Sequence, residues 1–132
     1  MSQENVEVVR AMIDAFNRRN FEASAAFFAE DASWRGGPAA PGGGVYYGSD
    51  EIARGFGRSL GAWEEFQVET EEVIDAGDHV VLCVRMRGKG RESGLSVELH
   101  PALVCEVRDG RVVAGRGFRE RAEALEAVGL RG

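Results

Sequence analysis

The dipeptide Asp109-Gly110 constrains this chain more than any other pair of residues. It stands between two apolar runs, and a type I′ turn, which needs positive φ at both central positions, joins two antiparallel strands there. With Arg108 and Arg111 flanking the turn, register follows by counting outward. Val107 is expected opposite Val112, Cys105 opposite Ala114, Leu103 opposite Arg116 and Pro101 opposite Phe118. One face then carries Leu103, Cys105 and Val107 with Ala114, Arg116, Phe118 and Glu120. The other carries His100, Ala102 and Val104 with Val113, Gly115 and Gly117. A slip of one residue would exchange the two sets.

Upstream of this meander the pattern is helical. Val6, Val9, Ile13 and Phe16 form one apolar stripe about four turns long, behind a cap at Ser2. Asn20 is placed to cap a second, short helix with Phe21, Ala25 and Phe28 on one side, and Ala32 to Arg35 reads as a short strand. The Gly36–Gly44 run contains two prolines and predicts a mobile flap; no Gly-Lys-Ser/Thr follows to make it a phosphate loop. Ser49 is expected to cap a third helix whose stripe is Ile52, Phe56, Leu60 and Trp63. Gly55, Gly57 and Gly61 predict a bend there, or close contact with something bulky. Phe66 to Ile74 and His79 to Arg87 alternate as strands, and Arg121 to Leu125 predicts one or two closing helical turns. Helices precede strands instead of alternating with them, which indicates a single α+β domain over residues 1–132. Three N-terminal helices on a curved, mainly antiparallel sheet would form a cone with an internal apolar cavity.

A formal charge of −6 argues against nucleic acid as a partner, which would need a basic patch. No apolar run reaches 18 residues and the first residues lack a leader pattern, so a cytoplasmic protein without a membrane span is expected. Cys83 and Cys105 sit inside strand patterns and read as small buried hydrophobes. His79 and His100 stand far apart without metal-ligand spacing, so neither a metal nor another cofactor is expected.

The chain resembles the SnoaL-like branch of the nuclear transport factor 2-like superfamily over nearly its whole length. The stretches that carry the resemblance include Asn5-Val6-Glu7-Val8-Val9-Arg10, Ala15-Phe16-Asn17-Arg18 and Asp31-Ala32-Ser33-Trp34. Tyr47-Gly48-Ser49-Asp50-Glu51-Ile52, Val73-Ile74-Asp75-Ala76-Gly77-Asp78 and Arg108-Asp109-Gly110-Arg111-Val112 continue it, and Arg121-Ala122-Glu123-Ala124-Leu125 closes it. The resemblance implies a cone-shaped cavity, a dimer through the sheets, and functions ranging from isomerases, cyclases, dehydratases and epoxide hydrolases to non-catalytic binders. Members often place an aromatic, a His and a Trp where this chain has Pro101, Leu103 and Cys105. The Tyr and Asp that commonly close the last strand are here Phe118 and Glu120, and the Arg–Asp pair of the epoxide hydrolases is Arg85 and Arg87.

Three functions follow as expectations. The first is a binder of a small apolar or aromatic molecule, with Phe16, Trp34, Tyr47, Phe56, Leu103 and Phe118 lining the pocket. The second is an isomerase, cyclase or hydrolase, with Glu120 as acid/base and Arg116 holding an anionic oxygen. The third is a dimeric scaffold without chemistry. A homodimer is expected through the outer sheet face, centred on Ala102, Val104, Val113, Gly115 and Gly117.

Overall fold

The computed structural model describes residues 2–36, 44–61 and 63–130. The stripe predicted for the first helix forms α1 (Ser2–Asn17), which buries Val9, Met12, Ile13 and Ala15. The capping contact expected of the Ser2 side chain lies outside the described residues, as does the Gly36–Gly44 flap except for its two ends. Asn20 caps α2 (Phe21–Ala25) as anticipated, its Oδ1 accepting a 3.1 Å hydrogen bond from the Ala23 N–H. The second helix stops earlier than its apolar spacing suggested, and Phe28 opens a strand, β1 (Phe28–Arg35). Glu30 and Asp31 interrupt apolar alternation there because the β1 register shifts between Phe28 and Ser33.

Next come β2 (Val45–Tyr47) and α3 (Ser49–Leu60). The cap of α3 is Gly48, not Ser49. Its φ of 85° suits glycine, and Glu51 reaches back to accept the Tyr47 N–H at 3.2 Å. Of the three glycines that suggested a bulky neighbour, Gly55 has one: a Cβ there would fall 2.8 Å from the Tyr46 ring. Trp63, assigned above to the stripe of this helix, instead opens β3 (Trp63–Ala76).

The remaining elements are β4 (His79–Gly90), β5 (Ser96–Leu99), β6 (Ala102–Arg108), β7 (Arg111–Phe118) and α4 (Arg121–Ala127). The strands form one curved sheet in the order β2-β1-β7-β6-β4-β3, with β5 also paired to β4. Every pairing is antiparallel except β1 with β7. The fold is therefore the expected α+β cone. Helices α1 and α3 close over the concave face and bury Ile52, Phe56, Phe66, Leu82, Val84, Leu103 and Val112 in one core. Asn17 fastens α1 to the sheet edge by mimicking a strand residue. Its Nδ2 donates to the Val68 carbonyl at 2.7 Å, and its Oδ1 accepts the Val68 N–H at 3.0 Å.

The central hairpin begins as predicted and then departs from the counted register. Asp109 and Gly110 have φ of 51° and 77°, Arg108 pairs with Arg111, and Val107 pairs with Val112. The next pair is Glu106 with Ala114, which leaves Val113 as an extra residue in a β-bulge. From there Cys105 pairs with Gly115, Val104 with Arg116, Leu103 with Gly117 and Ala102 with Phe118. Every β7 side chain beyond the bulge thus points to the face opposite the one predicted.

The closing helix also changes the outer face. α4 folds back across the sheet, and Ala124 joins Val81, Ala102 and Val104 in a second apolar cluster flanked by Ile74, Cys83, Phe118 and Val128. Ala102 and Val104, expected at the centre of a dimer contact, are covered by the chain itself. Gly115, expected beside them, lies inside under the Trp34 ring.

Candidate functional site

Alternation along β4 and β6 turns Val80, Leu82, Val84, Leu103, Cys105 and Val107 toward the helices. Over them lies a group of aromatic rings. Phe56 from α3 meets Phe16 of α1 at 5.3 Å between centroids, Trp34 of β1 at 5.6 Å and Phe28 at 6.2 Å. Phe28 and Trp34 are themselves 5.8 Å apart, and Phe16 is 6.4 Å from Phe66. The interplanar angles, 66° to 89°, place ring edges against ring faces, the arrangement that the aromatic quadrupole favours.

Four of the residues expected to line a pocket therefore share the interior: Phe16, Trp34, Phe56 and Leu103. Phe28, which the helical reading of that segment concealed, stands with them. The other two, Tyr47 and Phe118, lie elsewhere, as do the two expected catalytic residues, Arg116 and Glu120. Tyr47 is 64% exposed on the convex side. Phe118 packs in the outer cluster, with the Arg116 guanidinium 4.7 Å from its ring centroid, and Arg116 is exposed. Glu120 is exposed at the N-cap position of α4 and makes no capping hydrogen bond. The interior position expected for Arg116 and Phe118 is corrected by the Val113 bulge.

Cys105 is the one titratable side chain among the described buried residues of the interior cluster, with Tyr46 packed against them. Complete burial pushes its thiol up to about 12, so it stays neutral there. The ionisable groups gather instead on the convex face. His100 is held between Glu71 at Nδ1 and Glu98 at Nε2, both at 3.1 Å, and these carboxylates raise its pKa, Glu71 most. Glu98 stands two residues before His100 in the chain, whereas Glu71 is brought to it from β3. Arg85 and Arg87 both pair with Glu69, whose carboxyl is held below its ordinary value by the Arg85 hydrogen bond first. Arg121 of α4 holds Glu72 at 2.8 Å in the same way. Among the described residues no three His, Cys, Asp or Glu side chains gather to hold a metal ion, and no helix is long and apolar enough to cross a membrane.

A groove of about 280 Å³ also opens on the convex face, between α4 and the β1–β2 edge. Its lining includes Arg35, Tyr47, Val104, Arg116, Phe118 and Val128.

Comparison with known proteins agrees with this architecture. A family model described as a SnoaL-like domain matches residues 9–115, and no curated protein matches the chain. Among solved structures, an NTF2-like protein from Burkholderia thailandensis is similar at 30% identity with a TM-score of 0.79, covering 86% of this chain and 88% of that one. A Catenulispora acidiphila protein with a ketosteroid isomerase-like fold, solved with trimethylamine, is 21% identical with a TM-score of 0.78, covering 94% and 93%. TerC, co-crystallised with polyporic acid, is 19% identical with a TM-score of 0.78, covering 95% and 98%. With the model spanning most of the chain and the cone of helices on a curved sheet in place, this protein belongs to the SnoaL-like domain family.

Proposed function

We propose that this protein binds a neutral apolar or aromatic small molecule inside the cone, without transforming it. One observation carries the reading: the interior cluster offers aromatic rings and aliphatic side chains but no charged acid, base or guanidinium among the described residues. A charged ligand buried there would lose its hydration with nothing to replace it, whereas a neutral one would not. Phe16, Trp34 and Phe56 already meet edge to face, so a ring-bearing ligand would exchange ring–ring contacts for ring–ligand contacts of the same kind. The small organic molecules found with the C. acidiphila protein and with TerC support the view that this fold accommodates small organic guests.

The neutral fluorophore N-phenyl-1-naphthylamine tests the proposal. Its emission should rise on binding, and Leu103→Trp, which fills the interior, should abolish the rise. A signal unaffected by Leu103→Trp and Phe56→Ala would overturn the reading. The enzymatic alternative is disfavoured by where Glu120 and Arg116 lie, since neither adjoins the interior rings. Turnover lost specifically in Glu120→Gln would restore it.

The homodimer needs a new footprint, because α4 covers Ala102 and Val104. We infer a two-fold contact on the β3–β4–β5 part of the convex face, where Arg85, Arg87 and His100 alternate with Glu69, Glu71 and Glu98. A two-fold axis there can set the cations of one copy against the carboxylates of the other. Sedimentation equilibrium should give a dimer that weakens in high salt; a monomer at tens of micromolar would end the inference.

A further inference from the structure

Arg35 and Arg116 are direct neighbours across the parallel pair β1–β7, and both line the convex groove. Like charges in that position repel, and neither guanidinium has a carboxylate partner or a hydrogen bond among the described residues. Four other arginines are paired: Arg85 and Arg87 with Glu69, Arg108 with Glu106, Arg121 with Glu72. The Arg116 guanidinium lies over the Phe118 ring, which orients its donors without using them. Beside the two cations the groove turns apolar at Val104, Phe118 and Val128.

We propose that this groove is a second binding site, for a small organic carboxylate with a compact apolar body. The carboxylate would bridge Arg35 and Arg116, relieving their repulsion with charge-assisted hydrogen bonds. The body would lie on Phe118, Val104 and Val128. At about 280 Å³ the groove is at the small end of ligand sites, which suits one ring and a short acid arm. The one carboxylate among the described lining residues, Glu106, already accepts a 2.7 Å hydrogen bond from Arg108 and faces His79, so it does not neutralise the arginine pair. This site is independent of the interior and has the opposite preference for charge.

Phenylacetate is the probe, followed by calorimetry and by amide chemical shifts in ¹⁵N-labelled protein. Expected are shifts at Tyr47, Ala114 and Arg116, and affinity reduced roughly tenfold or more by either Arg35→Gln or Arg116→Gln. The isosteric neutral phenylacetamide should bind far more weakly. Both arginines are exposed, so melting temperatures should be unchanged, and naphthylamine binding inside the cone should persist in both variants. Equal binding of acid and amide, or full affinity in the Arg35→Gln/Arg116→Gln double variant, would overturn the proposal. So would absence of binding together with a dimer that Tyr47→Glu dissociates, because the groove would then hold a second copy of the chain.

Discussion

The six-membered ring of Trp34 lies directly on Gly115, its partner in the neighbouring strand, so closely that a Cβ at 115 would sit 2.3 Å from Trp34 Cε3. The aromatic cluster rests on this contact, because Trp34 in turn supports Phe28 and Phe56. Gly115→Ala should push the indole off the sheet and cost about 1–3 kcal/mol, the usual range for overpacking. The variant should show a lower melting temperature and altered tryptophan emission; unchanged values for both would contradict the packing described.

Val104 is 8% exposed beneath α4. Val104→Glu should therefore destabilise the fold itself by several kcal/mol, by placing an unpaired carboxylate under the helix. Leu125→Ala, which removes a buried side chain of α4, should cost about 2–5 kcal/mol. Urea denaturation reads both. A Val104→Glu protein of full stability would mean that α4 does not cover this face.

His100 gives a pH dependence whose sign is fixed. Its pKa in the folded chain is raised above the ordinary 6.5 by Glu71 first and Glu98 second, so the native state holds the proton more tightly than the unfolded chain. The resulting contribution to stability is complete below the unfolded value and is lost as pH rises through the higher folded value. Desolvation of the imidazole opposes the two carboxylates and limits the rise. An NMR titration of the imidazole should show the raised value, and Glu71→Gln should lower it more than Glu98→Gln.

The two thiols should separate by reactivity. Cys105 is fully buried with its pKa at about 12, so a disulfide reagent at about pH 8 should modify it only after unfolding. Cys83 is half-buried beside Glu72, and desolvation first and that carboxylate second raise its pKa, so it should react slowly in the native protein. Two fast equivalents in native protein would contradict this placement.

Elements specified by short-range chemistry were legible in the sequence. Asn20 declares a cap, Asp109-Gly110 declares a turn, and the glycines of α3 anticipate a large neighbour that proves to be Tyr46. Alternation alone sorted β6 correctly, with Leu103, Cys105 and Val107 inside. What was not legible depends on contacts distant along the chain. Val113 looks like any strand valine, and nothing local marks it as unpaired. The bulge becomes favourable because it lets Gly115 pass under Trp34 while Arg116 and Phe118 face out. Arg121 to Leu125 predicts one or two helical turns, but the apolar positions there do not say which surface they will cover. The candidate site was half legible for the same reason: the rings of α1, α3 and β1 were found, and the β7 residues were assigned to the wrong face.

The Val113 bulge also makes the two sides of β7 interchangeable by a change in parity. Deleting Val113 would restore even counting from the turn, turn Arg116 and Phe118 toward the rings, and bring Gly115 and Gly117 outside. A single-codon deletion could thus move a guanidinium from solvent into an interior that holds no ionised group among the described residues, while leaving the composition of the rest of the strand untouched. Strand length, counted in ones, is then a means by which relatives on this scaffold can acquire or discard charged chemistry without inventing a new residue.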